Sequence, residues 1–180
     1  MLTKSRSRRF GHLNDVFIAV LRDNIAPDCV FKTTEYARMN TVHAPLAPKP
    51  VGNYPHAKRV GNLLFLSGIG PRVAGSNSIP GNLYAPDGSL RSYDIAAQCR
   101  SVFANVKAVL LAAGADWLDL VDVTVYLTDM NADFATYNAI WAEYFHTDPP
   151  CRTTLGITAL PTPIAIELKC TATCRSPIMQ

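Results

Sequence analysis

The chain has 180 residues, 48% of them hydrophobic and 17% charged, with a formal net charge of +3. That length and balance describe one globular domain with its own core and exclude a disordered or fibrous chain. The positive excess is local: residues 1–38 hold seven Lys/Arg against four acids and residues 39–180 hold ten of each, so the body of the chain lacks the clustered basic charge that nucleic-acid binding needs.

Residues 1–38 read as an N-terminal extension, poorly ordered or non-native, with Met39 as the natural start. Its basic opening, MLTKSRSRRF, and the short amphipathic piece from Leu13 to Arg22 leave a targeting peptide or a partner contact as alternatives. Residues 39–180 read as a single domain. From Ala44 to Pro55 the prolines predict an extended segment. Lys58 to Asn62 reads as a strand end and turn, and Leu63 to Gly68 as a short buried strand. The glycines and proline of Ser67-Gly68-Ile69-Gly70-Pro71-Arg72 suggest backbone that approaches something closely. A plain loop explains them equally well, and the run is no dinucleotide fingerprint. Val73 to Arg91 is a long loop.

Ser92 or Asp94 caps a helix to about Ala113, with Ile95, Cys99, Val102, Val106, Val109 and Ala113 on its buried face and Gly114 as its stop. Leu120 to Thr128 alternates as a half-buried strand, with Val121, Val123, Val125 and Leu127 inward and Asp122, Thr124 and Tyr126 outward. Asp129 or Asn131 starts a second helix to about Phe145, whose stripe of Phe134, Tyr137, Trp141 and Tyr144 reads as core. Arg152 to Thr158 and Ile164 to Thr171 are the last strands. In the final one, Ile164, Ile166, Leu168 and Cys170 point inward; Ala165, Glu167, Lys169 and Thr171 point away.

The predicted order is β-β-loop-α-β-α-β-β. It implies an α+β domain with both helices on one face of the sheet. The opposite face, with Ala165, Gly156 and Thr124, is too apolar for water, and a second copy of the chain is the simplest cover. Glu167 in an apolar strand is costly unless it is partnered or has a task. With Arg152 it reads as one side of an active site, a structural ion pair being the plainer alternative. No apolar run approaches the ~18 residues of a membrane-spanning helix. Five cysteines without regular spacing fit a reducing cytoplasm. Scattered histidines argue against a metal site.

Gly52-Asn53-Tyr54, Leu66-Ser67-Gly68, Asn105-Val106-Lys107, Ala113-Gly114-Ala115, Asp133 to Asn138, Pro150 to Thr153 and Ile166-Glu167-Leu168 occur in an order and spacing that resemble the Rid (YjgF-type) family of enamine/imine deaminases. The resemblance covers residues 44–173. Within that family, the runs Ser67–Arg72, Ile79–Asn82, Cys151–Thr154 and Ala159–Glu167 are most similar to the 2-aminomuconate deaminases. The resemblance implies a chorismate-mutase-like fold and a homotrimer with inter-subunit clefts and no metal or organic cofactor, while the balanced charge and the lack of a long apolar run argue against a nucleic-acid or membrane partner. The implied reaction is hydrolysis of 2-aminomuconate, an unsaturated amino dicarboxylate, to 4-oxalocrotonate and ammonia in aromatic catabolism. A general 2-aminoacrylate or 2-imino acid deaminase, or a non-catalytic metabolite-binding or chaperone-like protein, is the alternative.

By the same resemblance Arg152 holds the substrate carboxylate, Glu167 serves the substrate nitrogen and water, and Tyr54, Gly68 and Asn138 line the cleft. The N–H of Gly68 or Ile69 is a further candidate donor. Arg72, just past the turn, is a candidate for the second carboxylate of 2-aminomuconate; a solvated loop arginine is the alternative. The chain departs from many family members at Asn53, Ile69 and Thr154, where Pro, Gln and Cys are common, so no thiol role attaches to position 154.

Overall fold

In the computed structural model, which describes residues 40–76 and 78–174, Asp94 starts the first helix. Its carboxylate accepts the N–H groups of Ala96 and Ala97 at 2.8 and 3.2 Å, which would otherwise be orphaned at the helix start. The helix, α1 (Ile95–Ala112), stops before Gly114, whose φ of 75° is the left-handed conformation that a glycine takes without strain. Asp129 caps α2 (Met130–Tyr144) through the Ala132 N–H at 2.9 Å.

The strands are β1 (Asn40–Val42), β2 (Ala57–Val60), β3 (Leu63–Leu66), β4 (Leu83–Tyr84), β5 (Leu90–Ser92), β6 (Leu120–Leu127), β7 (Cys151–Gly156) and β8 (Ile166–Thr173). Six of them form a mixed sheet in the order β1-β2-β3-β8-β6-β7, in which only the edge pair β6–β7 is parallel. Both helices pack on one face, over Leu64, Leu66, Val123, Val125, Leu127, Ile166, Leu168, Cys170 and Ala172. Full burial of one such side chain contributes about 1.5–3 kcal/mol.

The long loop folds further than its composition foretold. It contains the β4–β5 hairpin, whose base is closed by the Asp94 N–H on the Gly81 carbonyl at 3.0 Å. Gln98 is fully buried on α1. Its amide donates to Asn82 Oδ1 at 2.7 Å and accepts the Ala165 N–H at 2.8 Å, and Asn82 in turn donates to the Pro163 carbonyl at 2.8 Å. This clamp ties the loop before β8 to the helix.

The structure corrects several details. Val121 is 45% exposed, because a register shift between Leu120 and Asp122 turns Leu120 into the core in its place. Gly156 lies on the helix face, opposite Leu127 and close to Met130, and Ala165 is buried. β3 is buried on one side alone: Leu63 and Phe65 are 42% and 45% exposed, a face that an all-apolar run conceals. Ala44 to Pro55 is not extended. It turns at Ala44–Ala47, and His56 pins it by accepting the Ala44 N–H and bonding the Pro48 carbonyl, each at 3.1 Å.

By length and composition α1 could cross a membrane, which reading for unbroken apolar runs overlooked because Gln98, Arg100, Asn105 and Lys107 interrupt it. Here its apolar side is the core, and Arg100 and Lys107 pair with Glu143 and Asp116. The readings of residues 1–38 lie outside the described residues.

Gln98→Leu keeps much of the side-chain volume but leaves the Ala165 N–H and Asn82 Oδ1 without partners. Each unsatisfied buried group costs about 1–3 kcal/mol. Urea unfolding is expected to show a loss of about 2–4 kcal/mol at constant m value.

Candidate functional site

Just past the end of β3, Ile69 exchanges two backbone hydrogen bonds with Leu168 of β8, at 2.8 and 2.9 Å. The preceding Gly68 is thereby set against Glu167. A Cβ on Gly68 would lie 2.7 Å from the Glu167 carboxyl carbon and closer still to Oε1. The glycine leaves room for the carboxylate in this place; its backbone angles do not call for it. The bridge also spends the Ile69 N–H, so of the two candidate donors only the Gly68 N–H stays free of a backbone partner.

The turn that follows is held from α1. Asn105 donates to the carbonyls of Gly70 and Arg72 at 2.9 and 2.8 Å, and Ser101 to that of Pro71 at 2.7 Å. Ser67 Oγ donates to the Pro55 carbonyl at 2.7 Å, which brings the proline-rich segment over the strand end. Between them lies a cavity of about 130 Å³ lined by Tyr54, His56, Gly68, Ile69, Arg72 and Glu167, with Pro48, Pro50, Pro161 and Ile164 among its apolar walls. Five of the seven site residues read from the sequence therefore meet: Tyr54, Gly68, Ile69, Arg72 and Glu167. His56 joins them and was not foreseen. A lone histidine beside a proline gives no signal, and both its ring nitrogens are occupied by the segment it pins.

Glu167 is half-buried, with no hydrogen bond or ion pair among the described residues. Burial holds its carboxyl above the ordinary carboxylate range, and no cation counters it. The expected neighbour is elsewhere. Arg152 pairs with Val123 on the helix face of the sheet, whereas Glu167 pairs with Tyr126 on the opposite face. The two therefore do not form one wall within a chain, because alternation along β7 and β8 puts them on different sides. The Arg152 guanidinium carbon lies 5.0 Å from the Trp141 ring centroid and 5.5 Å from that of Tyr137. Such cation–π contacts are worth about 0.5–2 kcal/mol. Arg152 Nη1 and the Tyr137 hydroxyl are buried without hydrogen-bond partners. Burial pushes the Tyr137 hydroxyl well up, with the Arg152 charge acting the other way. Asn138 is exposed on the same helix and does not line the cavity.

The aromatic stripe thus has two parts. Tyr137 and Trp141 pack inward under Arg152, and Phe134 and Tyr144 are over a third exposed. Beyond Gly68 the cavity opens onto a groove lined by Tyr54, Lys58, Phe65, Ser67 and Lys169 on the sheet face away from the helices. Among the described residues no cluster of His, Cys, Asp or Glu suited to a metal ion occurs.

Residues 44–174 match the family described as Endoribonuclease L-PSP. A RutC family protein of Pyrococcus horikoshii is 40% identical over 129 residues, which cover 70% of this chain and 90% of the relative. A 2-iminobutanoate/2-iminopropanoate deaminase of Dermatophagoides farinae is 33% identical, covering 71% and 91%. The crystal structure of the YjgF gene product from E. coli superposes with a TM-score of 0.65 at 32% identity, over 76% of this chain and 99% of that one. From Ala44 to Cys174, then, the chain belongs to the Endoribonuclease L-PSP family, the Rid/YjgF family.

Proposed function

We propose that the chain is a hydrolytic deaminase of 2-imino acids or their enamine tautomers, which it converts with one water to the 2-oxo acid and ammonia. The observation that carries this reading is Glu167: a carboxylate without a partner, its pKa raised by burial, facing a cavity across a glycine. Such a group, more basic than an ordinary exposed carboxylate, suits proton transfer to and from a bound water. Glu167 takes a proton from water as the oxygen adds to the imine carbon and gives it to the imine nitrogen, which leaves a carbinolamine. It then moves the hydroxyl proton to the amine as the C–N bond breaks, and the products are the 2-oxo acid and ammonia. The Gly68 N–H lies where it can hold a substrate oxygen. The printed name of the mite relative, a 2-imino acid deaminase, supports the same chemistry. 2-Aminomuconate, with 4-oxalocrotonate as product, is the narrower candidate from the sequence.

The substrate carboxylate also needs a cation, and a bidentate arginine suits it best. In this reading Arg152 provides it from a second copy of the chain, within a chorismate-mutase-like homotrimer. Three features support that arrangement. Arg152 lies on the edge strand β7 with one nitrogen unpartnered, the groove beside Gly68 is open, and Leu63, Phe65 and Leu155 leave apolar surface exposed on the far face. The chemistry uses no metal or organic cofactor. The balanced charge of residues 39–180 weighs against RNA cleavage, which the family's description would otherwise suggest.

The test is ammonia release from 2-iminobutanoate, 2-aminoacrylate and 2-aminomuconate, each generated in situ. Acceleration of at least one is expected; acceleration of none overturns the deaminase reading. Glu167→Gln should lower kcat about 10²–10⁴-fold. Gly68→Ala, which displaces the carboxylate, should cost about 10²-fold in kcat/KM. An equimolar mixture of Arg152→Ala and Glu167→Gln chains, unfolded and refolded together, should regain activity that neither has alone. No recovery in assembled mixed oligomers would sink the shared-site arrangement.

A raised folded-state pKa means that the native state binds the Glu167 proton more tightly than the unfolded chain does. Stability from this group is present below the unfolded value near 4.5 and is lost as pH rises through the folded value. Glu167→Gln should therefore melt higher than wild type at neutral pH, and the difference should shrink toward pH 4, as followed by calorimetry.

A further inference from the structure

Arg72 lines the Glu167 cavity and also a second cavity of about 350 Å³, bounded by Pro45, Ala47, Lys49, Arg72, Gly75 and Ser76. Its position is fixed from both ends. Asn105 holds its backbone carbonyl, and its own Nη2 donates to the Lys49 carbonyl at 2.6 Å. Arginine carries five N–H donors, so this bond leaves four open. No carboxylate pairs with Arg72 among the described residues. The second cavity is lined by two cationic residues, Arg72 and Lys49, and by no acid. In the Glu167 cavity, Arg72 is the one Lys or Arg side chain, and both ring nitrogens of His56 are already used. Two cationic residues lining a concavity with no acid among its walls make a site for an anion.

We infer that Arg72 and Lys49 form a second anion subsite, and that the substrate is dianionic. Its imine end lies at Glu167 and its distal carboxylate at Arg72, which stands between the two cavities. The chemistry at the near end rests on the deaminase reading, but the subsite does not. Arg72 holds the distal group in the planar two-donor fashion that lysine cannot reproduce, and Lys49 adds charge from the far side. A monocarboxylate leaves both cations unused.

The test begins with binding, because it requires no turnover. 2-Oxoglutarate and 2-oxobutanoate, inert oxo acids with two carboxylates and one, are titrated into the full-length chain and into Arg72→Gln, Arg72→Lys and Lys49→Ala. Arg72→Lys keeps a terminal donor of similar reach for the Lys49 carbonyl, so it preserves the loop's tie while losing the planar second donor. Wild type is expected to bind 2-oxoglutarate at least about 10-fold more tightly than 2-oxobutanoate, the scale of a charge-assisted hydrogen-bonded pair. Arg72→Gln should abolish that preference, and Arg72→Lys and Lys49→Ala should reduce it. Equal affinities in wild type, a preference unchanged in Arg72→Gln, or no measurable binding of 2-oxoglutarate overturns the subsite. With the corresponding imines, the ratio of kcat/KM for the dicarboxylate over the monocarboxylate should fall about 10–100-fold in Arg72→Gln. If neither imine is turned over but the binding preference follows Arg72, the deaminase reading fails and the subsite stands.

Discussion

The contact between Gly68 and Glu167 governs the rest of the site. Two backbone hydrogen bonds between Ile69 and Leu168 bring the end of β3 so near β8 that even a methyl group at position 68 would displace the Glu167 carboxylate. Everything around the cavity serves that approach. Asn105 and Ser101 hold the turn beyond it, Gln98 holds the loop ahead of Glu167, and His56 holds the proline-rich wall. These groups are buried or partly buried polar side chains whose partners are mostly backbone carbonyls and N–H groups. They fix loop geometry in a way that apolar packing alone would not. The cost falls on Glu167, whose charge is carried in a half-buried place with no cation beside it.

The sheet separates the two groups of opposite charge that the proposed chemistry would bring together. Glu167 belongs to the open face and Arg152 to the helix face, where two aromatic rings aim its guanidinium without neutralising it. A carboxylate in the rings' place would have spent the charge. On the proposed reading, the separation is resolved by a second chain, and that chain also covers Leu63, Phe65 and Leu155.

Much of the architecture was legible in the residues. Both helices, their caps at Asp94 and Asp129, the stop at Gly114 and the alternation of β8 follow from short-range rules that tertiary contacts did not override. What stayed hidden was set by contacts distant in sequence. The bulge that turns out Val121 depends on pairing with β8, and the bend at Ala44–Ala47 depends on His56. Glu167 was legible as a site residue because a carboxylate in an apolar strand demands a reason. Its separation from Arg152 was legible in principle from alternation, yet it needed the position of β6 between β7 and β8 to be seen. The spent N–H of Ile69 and the free one of Gly68 could not be told apart without the bridge to Leu168.

The hairpin β4–β5 stands apart from this economy. The Gly81–Asp94 bond closes its base, and the Asn82–Gln98 clamp anchors the chain just inside it. Leu83, Tyr84 and Leu90 are exposed. Because closing a longer loop costs only about 0.6 kcal/mol per doubling of its length, residues can be added or removed at the hairpin tip between Tyr84 and Leu90, outside the Asn82 clamp and the Tyr93–Asp133 hydrogen bond, with little strain on Glu167. The fold thus confines tolerance of insertions to a hairpin tip insulated from the cavity, which can change length while the cavity keeps its shape.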